Sequence, residues 1–432
     1  MSPPSTRRTL LATLAGLGLA GCAADERTDT PTDRSAGEGR TPADTPHWTE
    51  QSATQSPTDT NTASPTDTVR EPATPDAVSS SWPIPGADQG QTNYAAGTAG
   101  PTAPIGELWS VEADDEFSAP VVADETVFVG GSQGGVHAFD ARTGERRWEQ
   151  SVGITADRPS VRDGRVYVEG YEAVVALDAA DGTELWRIET GDLVGFLAAA
   201  HGLYVSEQAD DALVRRSLAD GSEHWRTTVD GSSPAGRLIA SEESVFFSHP
   251  ETSGPWSVAV ADGETDLPDA ERQPTPLPHD SPVPQCYRDG RLYGALNIFG
   301  QVAAFETPAP PFGTAWDDKF PAEGTGFQLA VGPDSLYVVT GGGEGPVLRA
   351  LSAADGSERW THSIDAPAGR PVVAEETVLV RTEETLFCLD PSDGSERWTR
   401  PADRVGTTPV VADDLVYTSA DGTLRAFRSV EA

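Results

Sequence analysis

AFDARTGERRW, residues 138–148, is the phrase on which the fold of this chain turns. It returns as ALDAADGTELW at 176–186, ALSAADGSERW at 350–360 and CLDPSDGSERW at 388–398, with the shorter SLADGSEHW at 217–225. A unit of this length buries its apolar face only against copies of itself. The tryptophans keep the period. Trp109 to Trp148 is 39 positions, Trp148 to Trp186 is 38, Trp186 to Trp225 is 39 and Trp360 to Trp398 is 38. Between Trp225 and Trp360 the beat loosens, with Leu267 and Trp316 as the expected equivalents. A period of about 40 residues suits one four-stranded propeller blade.

Each unit carries strand grammar. In the first, APVVAD (119–124), TVFVGG (126–131), VHAFD (136–140) and RRWEQSV (146–152) are short apolar runs separated by Asp/Gly turns, here lettered A to D. Such runs read as hairpin strands, and helical periodicity is absent. Asp140, Asp178 and Asp390 are expected to accept backbone N–H bonds in the C–D turn. Gly144, Gly182, Gly221, Gly356 and Gly394 supply positive φ there. Trp109, Trp148, Trp186, Trp225, Trp316, Trp360 and Trp398 read as structural wedges, each filling a seam between blades and donating its indole N–H to a neighbouring carbonyl.

Eight A–B–C units start near Pro120, Pro159, Leu197, Leu238, Gln285, Leu329, Pro371 and Pro409. The eighth has no fourth strand, and GELWSVEA (106–113) is a D strand without its A–C. Pairing the two removes both open edges. The sequence therefore predicts an all-β, eight-bladed β-propeller of four-stranded antiparallel blades over 81–432, with 106–113 completing the C-terminal blade.

The phrase A-x-D-x-x-T-G-x-x-x-W, with P-V-V-x-D-x-x-V-Y-V upstream, resembles the pyrroloquinoline-quinone (PQQ) repeat. WPIPGADQGQTNYAAGTAGP (82–101) resembles the lead-in before such propellers in secreted proteins. The resemblance implies an eight-bladed ring with tryptophan docking. It covers quinoprotein dehydrogenases and non-catalytic lipoproteins of the BamB type, and fold does not choose between them. The dehydrogenases hold PQQ over a tryptophan floor with calcium on carboxylate and amide oxygens, and several add adjacent cysteines. This chain has no Cys-Cys pair and only Asn93 and Asn297 as asparagine ligands in the propeller.

Outside the repeats, residues 1–22 read as a processing signal. Thr6-Arg7-Arg8-Thr9-Leu10-Leu11 resembles a twin-arginine export signal, and Leu19-Ala20-Gly21-Cys22 resembles a lipobox with Cys22 as the acylated residue. Residues 23–80 are rich in Thr, Pro, Ser and Asp and read as a disordered tether. With 68 acidic against 30 basic residues, a formal charge of -38 and Lys319 as the sole lysine, the chain suits high salt and a halophilic archaeal origin. The same charge argues against nucleic-acid binding.

No catalytic motif stands out. His137, His201, His224, His249, His279 and His362 are scattered without zinc-ligand spacing. Cys286 and Cys388 fall two blades apart and are expected to stay unpaired and buried. Acidic pairs at Asp124-Glu125, Glu242-Glu243, Glu375-Glu376 and Asp413-Asp414 place a negative rim on the A–B turns. Aligning the units on Pro120 gives the preceding column Ala119, Arg158, Phe196, Arg237, Pro284, Gln328, Arg370 and Thr408. Arg158, Arg237 and Arg370 thus stand near the funnel mouth as candidates for an anionic ligand or a partner's carboxylates. The Pro-rich insertion 264–285 is expected on the same side.

The expectation is an exported, lipid-anchored, non-enzymatic binding or scaffold module on the outer face of the cytoplasmic membrane, a monomeric ring without cofactor or metal. Its partner would be an envelope or surface protein or an extracellular polymer. The alternatives are a receptor for an extracellular anion and a quinoprotein oxidoreductase using PQQ with calcium.

Overall fold

The computed structural model describes residues 78–191, 193–228, 235–248, 255–263, 283–296, 300–307, 313–319, 327–341, 345–366, 368–402, 406–420 and 422–430. The expected signal, Cys22 and all but the last residues of the tether lie outside them, as does Leu267. The described residues form eight antiparallel sheets, seven of them folded from consecutive strands. They span 121–151, 157–189, 193–228, 235–259, 283–319, 328–363 and 372–401, and the eighth joins 410–429 to Ile105–Glu112. Seven have four strands and the fourth has three among the described residues. The chain is an eight-bladed β-propeller.

Burial follows position within a blade. Strands A and B lie between neighbouring blades, so Thr126–Gly130 and Ser335–Thr340 are buried along their whole length. Strands buried on both faces read as near-continuous apolar runs. The outer D strands alternate instead, as in Arg146–Ser151, where Trp148 is the one buried residue. Strand A begins two to four residues earlier than its apolar run suggests in the second to fifth blades. Register shifts at Asp157/Ser160, Leu193/Gly195, Ala235/Ile239 and Pro284/Cys286 accommodate the extra residues as bulges.

Ring closure is explicit. Ile105 pairs with Ser429 and Glu112 with Thr423 across an antiparallel ladder. One hydrophobic cluster crosses the junction, joining Val127 and Phe139 of the first blade, Leu379 and Trp398 of the seventh, and Val416 and Phe427 of the eighth.

The seams repeat one contact. The Nε1–H of Trp109, Trp148, Trp186, Trp225, Trp316 and Trp360 donates to the carbonyls of Ala141, Ala179, Leu218, Val260, Ala353 and Pro391, at 3.0, 2.9, 3.3, 3.0, 3.2 and 2.9 Å. Trp398 donates to Pro101 at 2.9 Å, so the segment before the closing strand takes the place of the eighth C–D turn. The turns fold as expected: Asp140 Oδ1 accepts from the N–H groups of Arg142 and Thr143, both at 3.0 Å.

The turn glycine has a second duty beyond its φ. It lies flat on the preceding blade's indole: a Cβ on Gly182 (φ 77°) would stand 2.6 Å from Trp148 Cε3. Strand B adds an aromatic partner. Tyr417, Tyr167 and Tyr293 donate their hydroxyls to the same carbonyls that receive Trp109, Trp186 and Trp316, at 3.1, 3.0 and 3.3 Å.

The lead-in does more than precede the ring. Residues 79–98 run one full circuit of the axis, bonding to strand A or its turn in every blade. Ser79 N–H donates to Asp413 Oδ2 in the eighth blade (2.6 Å), and Trp82 and Val122 exchange N–H···O bonds in the first (2.8 and 2.9 Å). Pro83 O then receives Val161 N–H (2.6 Å) and Gln89 Oε1 receives Ala200 N–H (2.8 Å). The carbonyls of Gln89, Gly90, Thr92 and Asn93 accept from Ala240, Tyr287, Val331 and Val373 at 2.8, 2.7, 2.9 and 2.9 Å. Thr98 Oγ1–H returns to Asp413 O at 2.6 Å. This strap stoppers the channel at its A–B turn end. It also engages part of the acidic rim, since Asp413 and Glu375 both accept strap N–H groups.

Separating the two duties of the turn glycine gives a test. Gly182→Ala meets both positive φ and the indole, whereas Gly164→Ala (φ 70°) meets open space. The first should cost about 2–4 kcal/mol and the second about 1–2 kcal/mol. Chemical denaturation of both variants in one salt buffer reads the difference, and equal losses would remove the stacking role.

Candidate functional site

Above the strap the channel widens into a funnel of about 640 Å³. Its floor is the strap itself, through Trp82, Ile84, Pro85, Gly86, Gln91 and Asn93. Gln91 and Asn93 hold φ of 55° and 58°, which turns the backbone sharply at the axis. The wall is built from the entries to strand A. Ala119, Arg158, Phe196, Arg237, Gln328, Arg370 and Thr408 all line it, and of the aligned column only Pro284 does not. An eightfold repeat delivers one residue per blade to the same height, so sequence alignment sufficed to find this ring.

The three arginines have different settings. Arg158, with a side chain 59% exposed, lies 3.3 Å from Glu169 Oε1 and 3.7 Å from Asp157 Oδ2. Arg237 is exposed into the funnel, and its Nη1–H donates to Gln91 Oε1 at 3.1 Å. The positive charge of Arg370 depresses the Arg237 guanidinium to about 9.

Arg370 is only 7% exposed. Its Nε–H donates to Leu329 O in the sixth blade, and its Nη2 donates to Gln91 O in the strap and, at 3.0 Å, to Gln285 O in the fifth blade. One side chain therefore ties three blades and the strap together. Its Nη1, which has no accessible surface, finds no acceptor among the described residues. Burial lowers its pKa.

Glu169, at the end of strand B of the second blade, escaped the sequence reading. It is 8% exposed and is the sole carboxylate on the funnel lining among the described residues. Burial raises its carboxyl to about 7, against the opposing pull of Arg158. The alternation of strand B, which turns every second side chain toward one neighbour, was the available signal, but an acid ending an apolar run gives no sign of the funnel beside it.

The remaining candidates stay apart. Among the described residues no three His, Cys, Asp or Glu side chains converge as a metal set. His137 is buried edge-on to Phe117, with ring centroids 5.1 Å apart. Cys286 and Cys388 are free and buried, and burial pushes both thiols up to about 12. Asn297, His249, His279 and most of the insertion lie outside the described residues. A calcium-bound quinone does not fit this lining. Its one carboxylate is already paired with an arginine, and two further guanidinium groups would repel a cation.

The raised Glu169 carboxyl has a stability consequence. Its pKa is about 7 in the folded chain against an ordinary 4.5, so its contribution is full below about pH 4.5 and is lost as pH rises through about 7. Glu169→Gln should flatten that fall, by about 3 kcal/mol at most. Urea denaturation of both proteins on either side of this window checks it, and parallel pH profiles would sink the assignment.

Comparison with known proteins follows the same lines. A Burkholderia pseudomallei outer membrane protein assembly factor BamB is 24% identical over 279 residues, covering 60% of this chain and 70% of that protein. A Comamonas testosteroni quinohemoprotein alcohol dehydrogenase is 32% identical over 128 residues, 25% of this chain and 18% of the dehydrogenase. The serine/threonine-protein kinase AfsK of Streptomyces coelicolor is 29% identical over 166 residues, 37% of this chain and 20% of the kinase. The chain thus spans about a fifth of the length of the last two relatives. The solved structure of that Comamonas dehydrogenase superposes with a TM-score of 0.63 at 14% identity, covering 82% of each chain. The structure of BamB from Moraxella catarrhalis gives 0.56 at 15%, covering 76% of this chain and 99% of that one. At these identities the superpositions show the fold. The family profile described as outer membrane protein assembly factor BamB matches residues 99–153, 132–251, 299–384 and 343–431, more than half of the sequence, and the chain belongs to that PQQ-type repeat family.

Proposed function

We propose that this chain is an exported, lipid-anchored, non-catalytic propeller that serves as a binding or scaffold module on the outer face of the cytoplasmic membrane. The observation that carries the reading is the stoppered channel. The chain closes one end of its axis with its own strap and leaves a funnel walled by arginines. That arrangement is a receptacle, and its cationic lining disfavours the calcium that quinoprotein chemistry would require. The BamB relatives, named as assembly factors, support a protein partner as the first role. Export and anchoring rest on Arg7-Arg8 and the Leu19-Ala20-Gly21-Cys22 lipobox.

Two experiments test this. Full-length protein, solubilised in detergent at multimolar salt, should co-purify a membrane or surface partner and show no dye-linked alcohol or sugar oxidation when given PQQ and calcium. PQQ-dependent turnover would overturn the reading in favour of the oxidoreductase. Cys22→Ser should shift the protein from the membrane fraction to the soluble fraction. Retention of that variant on membranes would refute the lipid anchor.

A further inference from the structure

We propose that the funnel floor is a seat for a small organic carboxylate, held by the guanidinium group of Arg237 beside the buried charge of Arg370, above the Gln91 bend of the strap. This goes beyond the scaffold role, since it concerns a small molecule in the funnel and not a partner chain.

The chain carries a net -38, yet Arg237 and Arg370 both donate to Gln91, one to its Oε1 and the other to its backbone carbonyl, so two guanidinium groups meet at one residue of the funnel floor. The carboxylates around them are committed elsewhere. Glu169 and Asp157 face Arg158. Asp88, which also acts on Arg370, accepts from Thr92 N–H at 3.1 Å and Thr92 Oγ1–H at 2.6 Å. The bonds of Arg370 run to carbonyl oxygens and that of Arg237 to an amide oxygen, so neither has a carboxylate of its own.

Arg370 adds a fixed positive charge beside Arg237. It is 7% exposed, it lines the funnel, and its bonds to three backbone carbonyls hold it in place. A buried guanidinium without a carboxylate of its own favours an anion seated next to it.

Size and surface narrow the ligand. A funnel of about 640 Å³ is in the range of small-molecule sites. Trp82, Phe196 and Leu238 share its lining with the arginines. That pairing suits an acid with a compact apolar body better than a bare inorganic anion.

Isothermal titration of the full-length, detergent-solubilised protein with benzene-1,3-dicarboxylate tests the seat, with neutral benzamide as the control, at one fixed salt concentration. Saturable one-to-one binding of the dicarboxylate alone is expected. Arg237→Gln, which leaves the Arg370 staple intact, should weaken it by about tenfold or more. Val194→Trp, at an exposed residue of the lining, should block entry with every arginine in place. No saturable binding, equal affinity for benzamide, or binding that survives both substitutions would overturn the proposal. None of these outcomes bears on whether a membrane partner co-purifies.

Discussion

Everything in this molecule rests on an indole laid against a glycine and hydrogen-bonded to the next blade. A propeller blade is a small twisted sheet with two apolar faces, and alone it has no stable burial. The indole supplies area to the seam and a directed N–H, while the glycine allows the close approach that fixes the spacing. Because seven of the eight blades are seen to give a tryptophan to their successor among the described residues, the contact is heterologous, and closure into a ring follows from its rotation. The seventh blade finds its carbonyl in Pro101 instead of a repeat turn, which shows how far the lead-in has been absorbed into the symmetry.

The funnel is a product of the same repetition. One residue per blade reaches the axis at each level, so a ligand-facing ring is assembled from positions about 40 residues apart. What breaks the eightfold sameness is the strap. By bonding to every inner strand it ends the axis at one side and brings Gln91 and Asn93 up as a floor. Arg370 belongs to both structures. It fastens the strap to the fifth and sixth blades and still contributes to the lining.

Much of this was legible from the residues. The tryptophan beat, the turn Asp and Gly, and the pairing of 106–113 with the last strands are repeats or repeat defects, and periodicity exposes both. The arginine ring was also legible, since alignment of repeats is alignment in space. The strap was not. Most of its bonds run from backbone atoms, which leave little trace beyond glycines and left-handed Gln91 and Asn93. Nor was the burial of Arg370 legible, because three carbonyls from distant parts of the chain solvate it. The shared carbonyls of Tyr417, Tyr167 and Tyr293 escaped for a related reason, since a Tyr in an apolar run reads simply as β-propensity.

The circuit made by residues 79–98 also bears on how this protein comes into being. Among the described residues, those that leave the ribosome first are held by partners from all over the later sequence, Asp413 among them. Sectors between can pair locally as they emerge, but the axis and the final edge wait for the finished polypeptide. Such high contact order makes the last step slow and also makes its reversal slow. Once the girdle is drawn tight, no single sector can peel away without first loosening a cord that touches the other seven.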